Sequence, residues 1–380
     1  MERKLGLGII GCGNISTTYF SLAPLFRGIE VRACADIKAA AAEERAQTYG
    51  VRAESVEALL RADDVDIVVN LTIPAVHYEV TRLALDAGKH VYSEKPFVLD
   101  VARGLDLKKR AEAKGVRVGS APDTFLGGAH QLARHLIDAG RVGKIIGGTC
   151  HVLSHGMEHW HPNPDFFYQP GAGPVLDVGP YYVANLIQLI GPVKRVAALA
   201  STPQKERTIG NGPRNGEKVP VGTPTTLCAV LELESGAVVT LNASWDVWSH
   251  GHAPMELYGE DGSVFVPDPN FFGGEVRLTQ GANPVTTPPE WDHPFGVPNE
   301  SRAGGPRANY RTAGLADMAL AIAEGRPHRC SLEAALHAVE VMTGILESGE
   351  TGRFVTLRTS CERPAALGPE EARALQAGVG

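Results

Sequence analysis

Leu5-Gly6-Leu7-Gly8-Ile9-Ile10-Gly11-Cys12-Gly13-Asn14-Ile15-Ser16 is the stretch on which the reading of this chain turns. Leu5–Ile10 is an apolar run of strand length, and a helical stretch starts near Ile15. Gly11 permits the tight turn between them. Gly13 lets the backbone approach a pyrophosphate, which would rest on the positive end of the helix that Asn14 and Ile15 begin. Ser16 stands where the pattern asks for Gly or Ala. A G-x-G is a weak signal in a chain with 43 glycines. Its context strengthens it: the motif follows a strand, opens a helix, and is followed about 20 residues later by Asp36 at the end of the next strand. A carboxylate there accepts hydrogen bonds from ribose hydroxyls and repels a 2′-phosphate. The expected cofactor is therefore NAD rather than NADP, with Lys38 close enough to soften the repulsion.

Outward from this motif, apolar runs at Glu30–Asp36, Asp66–Leu71, His90–Ser93 and Val116–Gly119 alternate with helical stretches at Ile37–Tyr49, Ser55–Arg61, Val76–Ala87 and Asp100–Lys114. Near-continuous apolar strands separated by helices imply right-handed crossovers and a parallel sheet covered on both faces. Beyond residue 123 the pattern changes. A helix over Phe125–Ala139 and a strand over Thr149–Leu153 precede a Pro/Gly/aromatic loop at 155–174 and a helix containing Val183–Leu189. Hairpins follow at Thr226–Glu234 with Ala237–Ala243 and at Met255–Tyr258 with Ser263–Val266. Residues 281–309 read as irregular, and two helices (Gly314–Glu324, Ser331–Glu347) lead to a strand at Arg353–Leu357. The expected fold is α/β: an N-terminal Rossmann domain, a doubly wound parallel sheet, over 1–122; then a C-terminal α+β domain on an open, mostly antiparallel sheet over 123–358, serving substrate and oligomerisation. A polar tail, 359–380, is expected to be loosely held.

The net charge of −7, with scattered Lys and Arg, lacks the footprint of a nucleic-acid binder. No apolar run is long enough to span a membrane, and the N-terminal residues show no leader pattern; a cytoplasmic enzyme is expected. Cys12, Cys34, Cys150, Cys228, Cys330 and Cys361 form neither C-x-x-C nor zinc-finger spacings, so they read as free thiols.

Ser93-Glu94-Lys95-Pro96 sits just past the C-terminal end of a parallel strand, the edge where ligands bind in such sheets. Lys95 can donate to a substrate oxygen there. Much later, Gly173-Pro174-Val175-Leu176-Asp177-Val178-Gly179-Pro180-Tyr181 opens a helical run; if it is helical throughout, Asp177 and Tyr181 share one face. Such residues suit proton transfer.

These features, with Thr72-Ile73-Pro74 and His77, resemble the glucose–fructose oxidoreductase / inositol dehydrogenase / rhizopine catabolism family (Gfo/Idh/MocA) over about residues 1–357. The resemblance implies an NAD(P)-dependent oxidoreductase acting on a sugar, sugar derivative or cyclitol. Lys95, Asp177 and Tyr181 would be catalytic and would contact substrate. Thr72, Pro74, His77, Glu94 and Lys95 would join Gly11, Gly13, Asn14, Ile15 and Asp36 around the cofactor. Tyr181 stands where the family often has His. A phenol ionises near pH 10 against about 6.5 for imidazole, so the identity of the general base is open.

His155, His159 and His161 cluster around Glu158 without H-E-x-x-H spacing, and no metal is expected. The loop is read as substrate-contacting, with Trp160 stacking on a sugar ring and His161 bonding hydroxyls. Asp246 and Trp248 read as sheet residues, and His328 and His337 as packing or surface residues. Two other functions stay open: a glycosidase or epimerase using NAD transiently, and a non-catalytic dinucleotide sensor. The hairpin at Thr226–Ala243 places Leu227, Ala229, Leu231 and Leu233 on one face, and Cys228, Val230, Glu232 and Glu234 on the other. That partly apolar second face predicts a homodimer or homotetramer through the C-terminal sheet, with Val230 and Val239 as candidate contacts.

Overall fold

The computed structural model describes residues 3–289, 291–302 and 304–378; those parts of the expected first domain, of the 281–309 stretch and of the tail that fall elsewhere lie outside the described residues. The first half alternates β1 (Leu5–Ile10), α1 (Asn14–Leu22), β2 (Ile29–Ala35), α2 (Ala39–Tyr49), β3 (Arg52–Ala53), α3 (Val56–Arg61), β4 (Ile67–Asn70), α4 (His77–Asp86), β5 (His90–Ser93), α5 (Val101–Lys114) and β6 (Val118–Ser120). The strands form one 6-stranded sheet in the order β3-β2-β1-β4-β5-β6, and every pairing is parallel. The strand order reverses between β1 and β4, which opens a crevice at the C-terminal edge, as in a Rossmann sheet.

The remainder runs α6 (Gly128–Asp138), β7 (Ile145–Leu153), α7 (Gly173–Asp177), α8 (Gly179–Ile190), β8 (Val193–Ser201), β9 (Glu206–Thr208), β10 (Lys218–Pro220), β11 (Thr226–Leu233), β12 (Val238–Ser244), β13 (Met255–Gly259), β14 (Gly262–Val266), β15 (Arg277–Gln280), β16 (Glu300–Arg302), β17 (Gly305–Arg307), α9 (Ala313–Glu324), α10 (Leu332–Thr351), β18 (Val355–Thr356) and α11 (Pro369–Leu375). Its 8-stranded sheet, β15-β14-β13-β7-β12-β11-β8-β18, is antiparallel except between β7 and β12.

One apolar core joins α3, α4 and α5, on one face of the parallel sheet, to α6, α8, α10 and the inner face of the second sheet. A second core covers the other face of the parallel sheet with α1, α2, α9 and α11. In the second sheet the alternation is clean. Leu227, Ala229 and Leu231 are buried, as are Val239, Leu241 and Ala243 opposite them. Cys228 and Val230 point outward, beside Leu199 of β8.

Several expectations change. Val239 was expected to face a partner; it is 0% exposed, on the inner side, because its cross-strand neighbour is Leu231. The helix expected from Phe125 starts at Gly128, after a 3₁₀ turn at Thr124–Leu126. β8, which lies between β11 and the short edge strand β18, gave no sequence signal, since Lys194-Arg195 and its alanines blur the alternation. The tail is not loose: Leu367, Ala372 and Leu375 are buried, and Phe26 and Gln376 form a bridge beside β2. His337, read as a packing or surface residue, does pack inside, accepting the Val193 N–H at 3.0 Å. Among the described residues no helix is long and apolar enough to cross a membrane.

Candidate active site

The C-terminal edge of the parallel sheet gathers the residues expected for the dinucleotide. Gly11 has φ +103°, and a Cβ there would lie 2.7 Å from the Leu71 carbonyl, so β1 can turn beside the end of β4 only with glycine. Gly13, by contrast, faces open space and is the N-cap of α1, with no side chain capping it. An N-terminus of this kind presents backbone N–H groups to an anion. At the end of β2, Asp36 accepts the backbone N–H of Cys12 and that of Lys38, each at 2.8 Å. Its carboxylate is thereby fixed against the glycine turn, with lone pairs left for hydroxyl donors. Arg45 reaches Ser16 at 3.3 Å from α2, which adds a cation close to the turn. These features satisfy what a dinucleotide requires of this edge.

The Thr72–His77 segment is braced from beneath. Asn70 donates to the His77 carbonyl at 3.0 Å and to the Thr81 hydroxyl, and accepts the hydroxyl of Thr72 at 2.6 Å. His77 is buried, with its ring nitrogens against the carbonyls of Pro96 (2.8 Å) and Thr72 (2.9 Å). Burial pushes its pKa down, although the two carbonyls pull it back. His77 thus ties the Thr72 loop to the loop after β5 and has no ring nitrogen free for a cofactor. Pro74 begins a short 3₁₀ turn on that loop.

Lys95 leaves the end of β5 and crosses to the second unit. Its Nζ donates to the Asp177 carbonyl at 2.6 Å and to Asp177 Oδ1 at 3.1 Å, and lies 5.2 Å from the Tyr181 ring centroid. Burial alone would lower the ammonium pKa; the Asp177 carboxylate, with Tyr181 and Glu94, outweighs it and holds Lys95 above the usual lysine range, charged. Glu94 is itself fixed by the Tyr19 hydroxyl at 2.9 Å and the Lys95 N–H at 3.0 Å. Asp177 and Tyr181 do not share one helix as expected: α7 ends at Asp177, Val178 breaks the run, and α8 starts at Gly179. Lys95 nevertheless lies against both.

Two further residues in this cluster escaped sequence reading. Asp123 is buried just past β6 and accepts the N–H groups of Thr312 (2.9 Å) and Gly314 (3.0 Å). Burial raises its pKa to about 6, against the pull of those N–H groups and of Arg311. Its place beyond a parallel strand, at the same edge as Lys95, was a usable signal. Arg311, from an irregular stretch, faces Tyr181, Asp123 and Glu94 and had no such signal.

The 155–174 loop forms a satellite core of Met157, Phe167, Tyr168, Ile209, Val219 and Trp245 under the β9–β10 hairpin. Buried Arg207 bridges Glu158, at 3.2 Å, and Asp246, whose second oxygen accepts Thr225 (2.8 Å) and Thr226 (2.6 Å). Asp246 is therefore part of an ion network rather than a solvated sheet carboxylate. Ligating atoms of His155, Glu158 and His159 lie within 4.8 Å of one another. Glu158 is engaged by Arg207 and Tyr168, and the two imidazoles stack at 4.7 Å. Trp160 is 62% exposed and packs edge-on to His161. No described contact links Trp160 or His161 to Lys95, Asp177 or Tyr181.

Comparison with known proteins matches residues 5–121 to the model "Oxidoreductase family, NAD-binding Rossmann fold" and residues 130–265 to "GFO/IDH/MocA C-terminal domain". The chain is 30% identical over 203 residues to dTDP-3,4-didehydro-2,6-dideoxy-alpha-D-glucose 3-reductase of Streptomyces violaceoruber, covering 51% of this chain and 57% of that one. It is 25% identical to levoglucosan dehydrogenase of Pseudarthrobacter phenanthrenivorans over 69% of this chain and 73% of the relative. It is also 25% identical to D-xylose 1-dehydrogenase (NADP(+)) 2 of Haloferax volcanii over 92% and 99%. The match to an oxidoreductase of Schizosaccharomyces pombe, 26% identical, spans 55% of that protein. Among solved structures, an apo levoglucosan dehydrogenase shares the fold at TM-score 0.80 and 21% identity, covering 95% of this chain and 100% of the other. An NAD-binding oxidoreductase from Klebsiella pneumoniae aligns at TM-score 0.79 and 21% identity over 94% and 100%.

Proposed function

The chain belongs to the GFO/IDH/MocA family of oxidoreductases, and from that premise we propose that it oxidises or reduces a hydroxyl-bearing carbon of a sugar, sugar derivative or cyclitol with NAD. The observation that carries this reading is Lys95. It projects from the same sheet edge as Gly11, Gly13 and Asp36 and lies against both Asp177 and Tyr181. When bound, the nicotinamide supplies or accepts the hydride. Gly11, Gly13, Asn14, Ile15 and Asp36 would hold the dinucleotide, with the loop carrying Thr72 and Pro74 beside it.

Lys95 spends N–H donors on the carbonyl and carboxylate of Asp177, and its remaining N–H is available to the reacting oxygen of the substrate. Asp177 keeps the ammonium charged and aimed. Tyr181 exchanges the hydroxyl proton of the substrate. Asp36 disfavours a 2′-phosphate, which supports NAD over NADP. Trp160 and His161 would meet the parts of a substrate that extend towards the 155–174 loop. The relatives named above include enzymes of a dideoxysugar, of levoglucosan and of xylose, which supports a carbohydrate substrate. We also propose that two copies pair through the outer face of the eight-stranded sheet, where Leu199 is 76% and Val230 43% exposed.

A panel of free sugars, glycosides and inositols, screened for NADH formation from NAD, tests the function. NADH accumulating with one class supports it, and Lys95→Ala or Tyr181→Phe should then lower kcat by ~10²–10⁴-fold with NADH binding retained. A sugar that is epimerised or hydrolysed with no net NADH would replace it with transient use of NAD. Tight NADH binding with no turnover of any compound, in either direction, would point to a sensor.

A further inference from the structure

His155-Gly156-Met157-Glu158-His159 is a turn rather than a helix, and it folds two imidazoles and a carboxylate onto one another. Gly156 has φ +88°, and a Cβ there would lie 2.4 Å from the Tyr168 hydroxyl and 2.5 Å from Glu158 Oε2, so the turn closes this tightly only with glycine. Ligating atoms of the three side chains lie within 4.8 Å of one another, and His159 Nε2 is 3.6 Å from Glu158 Oε1. His155 Nδ1 is buried and has no hydrogen-bond partner among the described residues. A buried polar atom without a partner is uncommon, since it has given up water and received nothing in exchange.

The carboxylate is the fixed member of the group. Glu158 is 2% exposed; its Oε2 accepts the Tyr168 hydroxyl and its Oε1 accepts Arg207 at 3.2 Å. Each oxygen has a second lone pair, so Oε1 can still serve another partner. The Glu158 carbonyl accepts the Gly210 N–H at 3.0 Å and the Asn211 side chain at 3.1 Å, which anchors the turn to the β9–β10 connection. Charge points the same way. Arg207 is a single guanidinium shared by two carboxylates, Glu158 and Asp246, so negative charge is in excess beside the imidazoles. Burial, with His159 alongside, lowers the pKa of His155 and leaves its lone pair available at neutral pH.

We propose that His155, Glu158 and His159 form a binding site for a divalent transition-metal cation, zinc foremost, with water in the fourth position. Two imidazoles and a carboxylate are a donor set that zinc takes in tetrahedral geometry, with bonds of about 2.0–2.2 Å and donor atoms therefore about 3.4 Å apart. His159 and Glu158 are already near that spacing. The stacked rings, 4.7 Å apart, reach it by side-chain rotation, for which His159, with its side chain 40% exposed, has room. Tyr168 and Arg207 act as the outer hydrogen-bond partners that orient a ligating carboxylate. No described contact links the three residues to Lys95, Asp177 or Tyr181. The ion would clasp the turn that leads into Trp160 and His161 and take no part in hydride or proton transfer. The rival group is His151, His250 and His252, whose rings follow one another at 4.1 Å and 6.0 Å, but among the described residues these do not gather three ligating atoms within the same distance.

The test titrates zinc chloride by calorimetry into the full-length protein, stripped with a chelator and exchanged into chelator-free buffer, with neither substrate nor NAD present. The tightest site should take one zinc per chain. That site should be lost, or weakened by about 100-fold or more, in His155→Ala and in His159→Ala, and should be kept in His252→Ala. Tyr168→Phe leaves every ligand in place and should weaken binding by about 10–100-fold through the carboxylate it no longer orients. A parent whose dissociation constant for zinc is weaker than about 0.1 mM overturns the inference. So does a tight site that survives His159→Ala, or one lost in His252→Ala, which would move the ion to the second histidine group. If His155→Ala does not fold, His159→Ala decides alone, because its side chain lies at the surface.

Discussion

The parallel sheet carries helices on both faces, α3, α4 and α5 on one and α1, α2 and α9 on the other, whereas the eight-stranded sheet has α6, α8 and α10 on its inner face and, among the described residues, no helix over Cys228, Val230 and Leu199. A sheet covered twice needs apolar residues at every strand position and has little freedom left for variation. A sheet covered once puts core on one side and leaves the alternate residues of the other side outside it. Adjacent residues of one strand should therefore fail in different ways.

The largest effect is expected at Val239→Asp, which buries a carboxylate without a partner in the inner layer and should cost more than about 4 kcal/mol. Recovery of folded protein with a parental melting curve would break the assignment of faces. Acid should come next. Burial lowers the pKa of His130 to about 4 and that of His337 to about 4. Both lie in the second unit. A histidine with a depressed folded pKa contributes stability above its unfolded value of about 6.5 and loses it as pH falls towards 4, up to roughly 3 kcal/mol apiece. Trp160, Trp245, Trp248 and Trp291 are all in this unit, so intrinsic fluorescence reports on it selectively. A tryptophan-detected melting temperature that stays level from pH 7 to pH 4 would contradict the burial of these rings.

On the outer face, Val230→Asp should leave the fold intact and weaken self-association by about 2 kcal/mol, roughly 30-fold in dissociation constant. Light scattering showing a parent that is already monomeric at micromolar concentration would remove that surface as an interface. The smallest change is reserved for the first sheet. Asp36→Ala should lower the preference for NADH over NADPH by about tenfold, about 1.4 kcal/mol, through lost charge repulsion and a lost ribose contact. Tighter binding of NADPH than NADH by the unmodified protein would reverse the reading of Asp36.

The same contrast governs what could be read before the structure. The position of Gly11, Gly13, Asp36 and Lys95 at one edge of the parallel sheet was legible because local signs mark it: a glycine turn, an acid ending a strand, a lysine just past one. The hairpin β11–β12 was legible from period-two alternation. The neighbourhood of Arg311 was not, since the turn that follows it is pinned by Asp123 across a long sequence separation. Asp177 and Tyr181 do lie against Lys95, but the break at Val178 was invisible because glycine and proline at 179 and 180 are equally at home in the first turn of a helix. Trp160 and His161 were chosen for their chemistry alone, and their rings pack against loop neighbours.

Residues 367–377 return to the beginning of the fold. Leu367, Ala372 and Leu375 complete the layer that contains Phe20 and Phe26, Arg27 donates its N–H to the Leu375 carbonyl at 3.0 Å, and Ala377 to that of Leu25 at 2.8 Å. A ribosome makes this chain in the opposite order from the one in which that layer can close. The parallel strands emerge early and can pair, yet one flank of their cover is still unsynthesised while the whole second sheet is being made. At a synthesis rate of about 5–20 residues per second, that flank stays open to solvent for tens of seconds. Nascent-chain capture by a cellular holdase should accordingly concentrate on the α1–β2 surface and end when α11 is released from the exit tunnel.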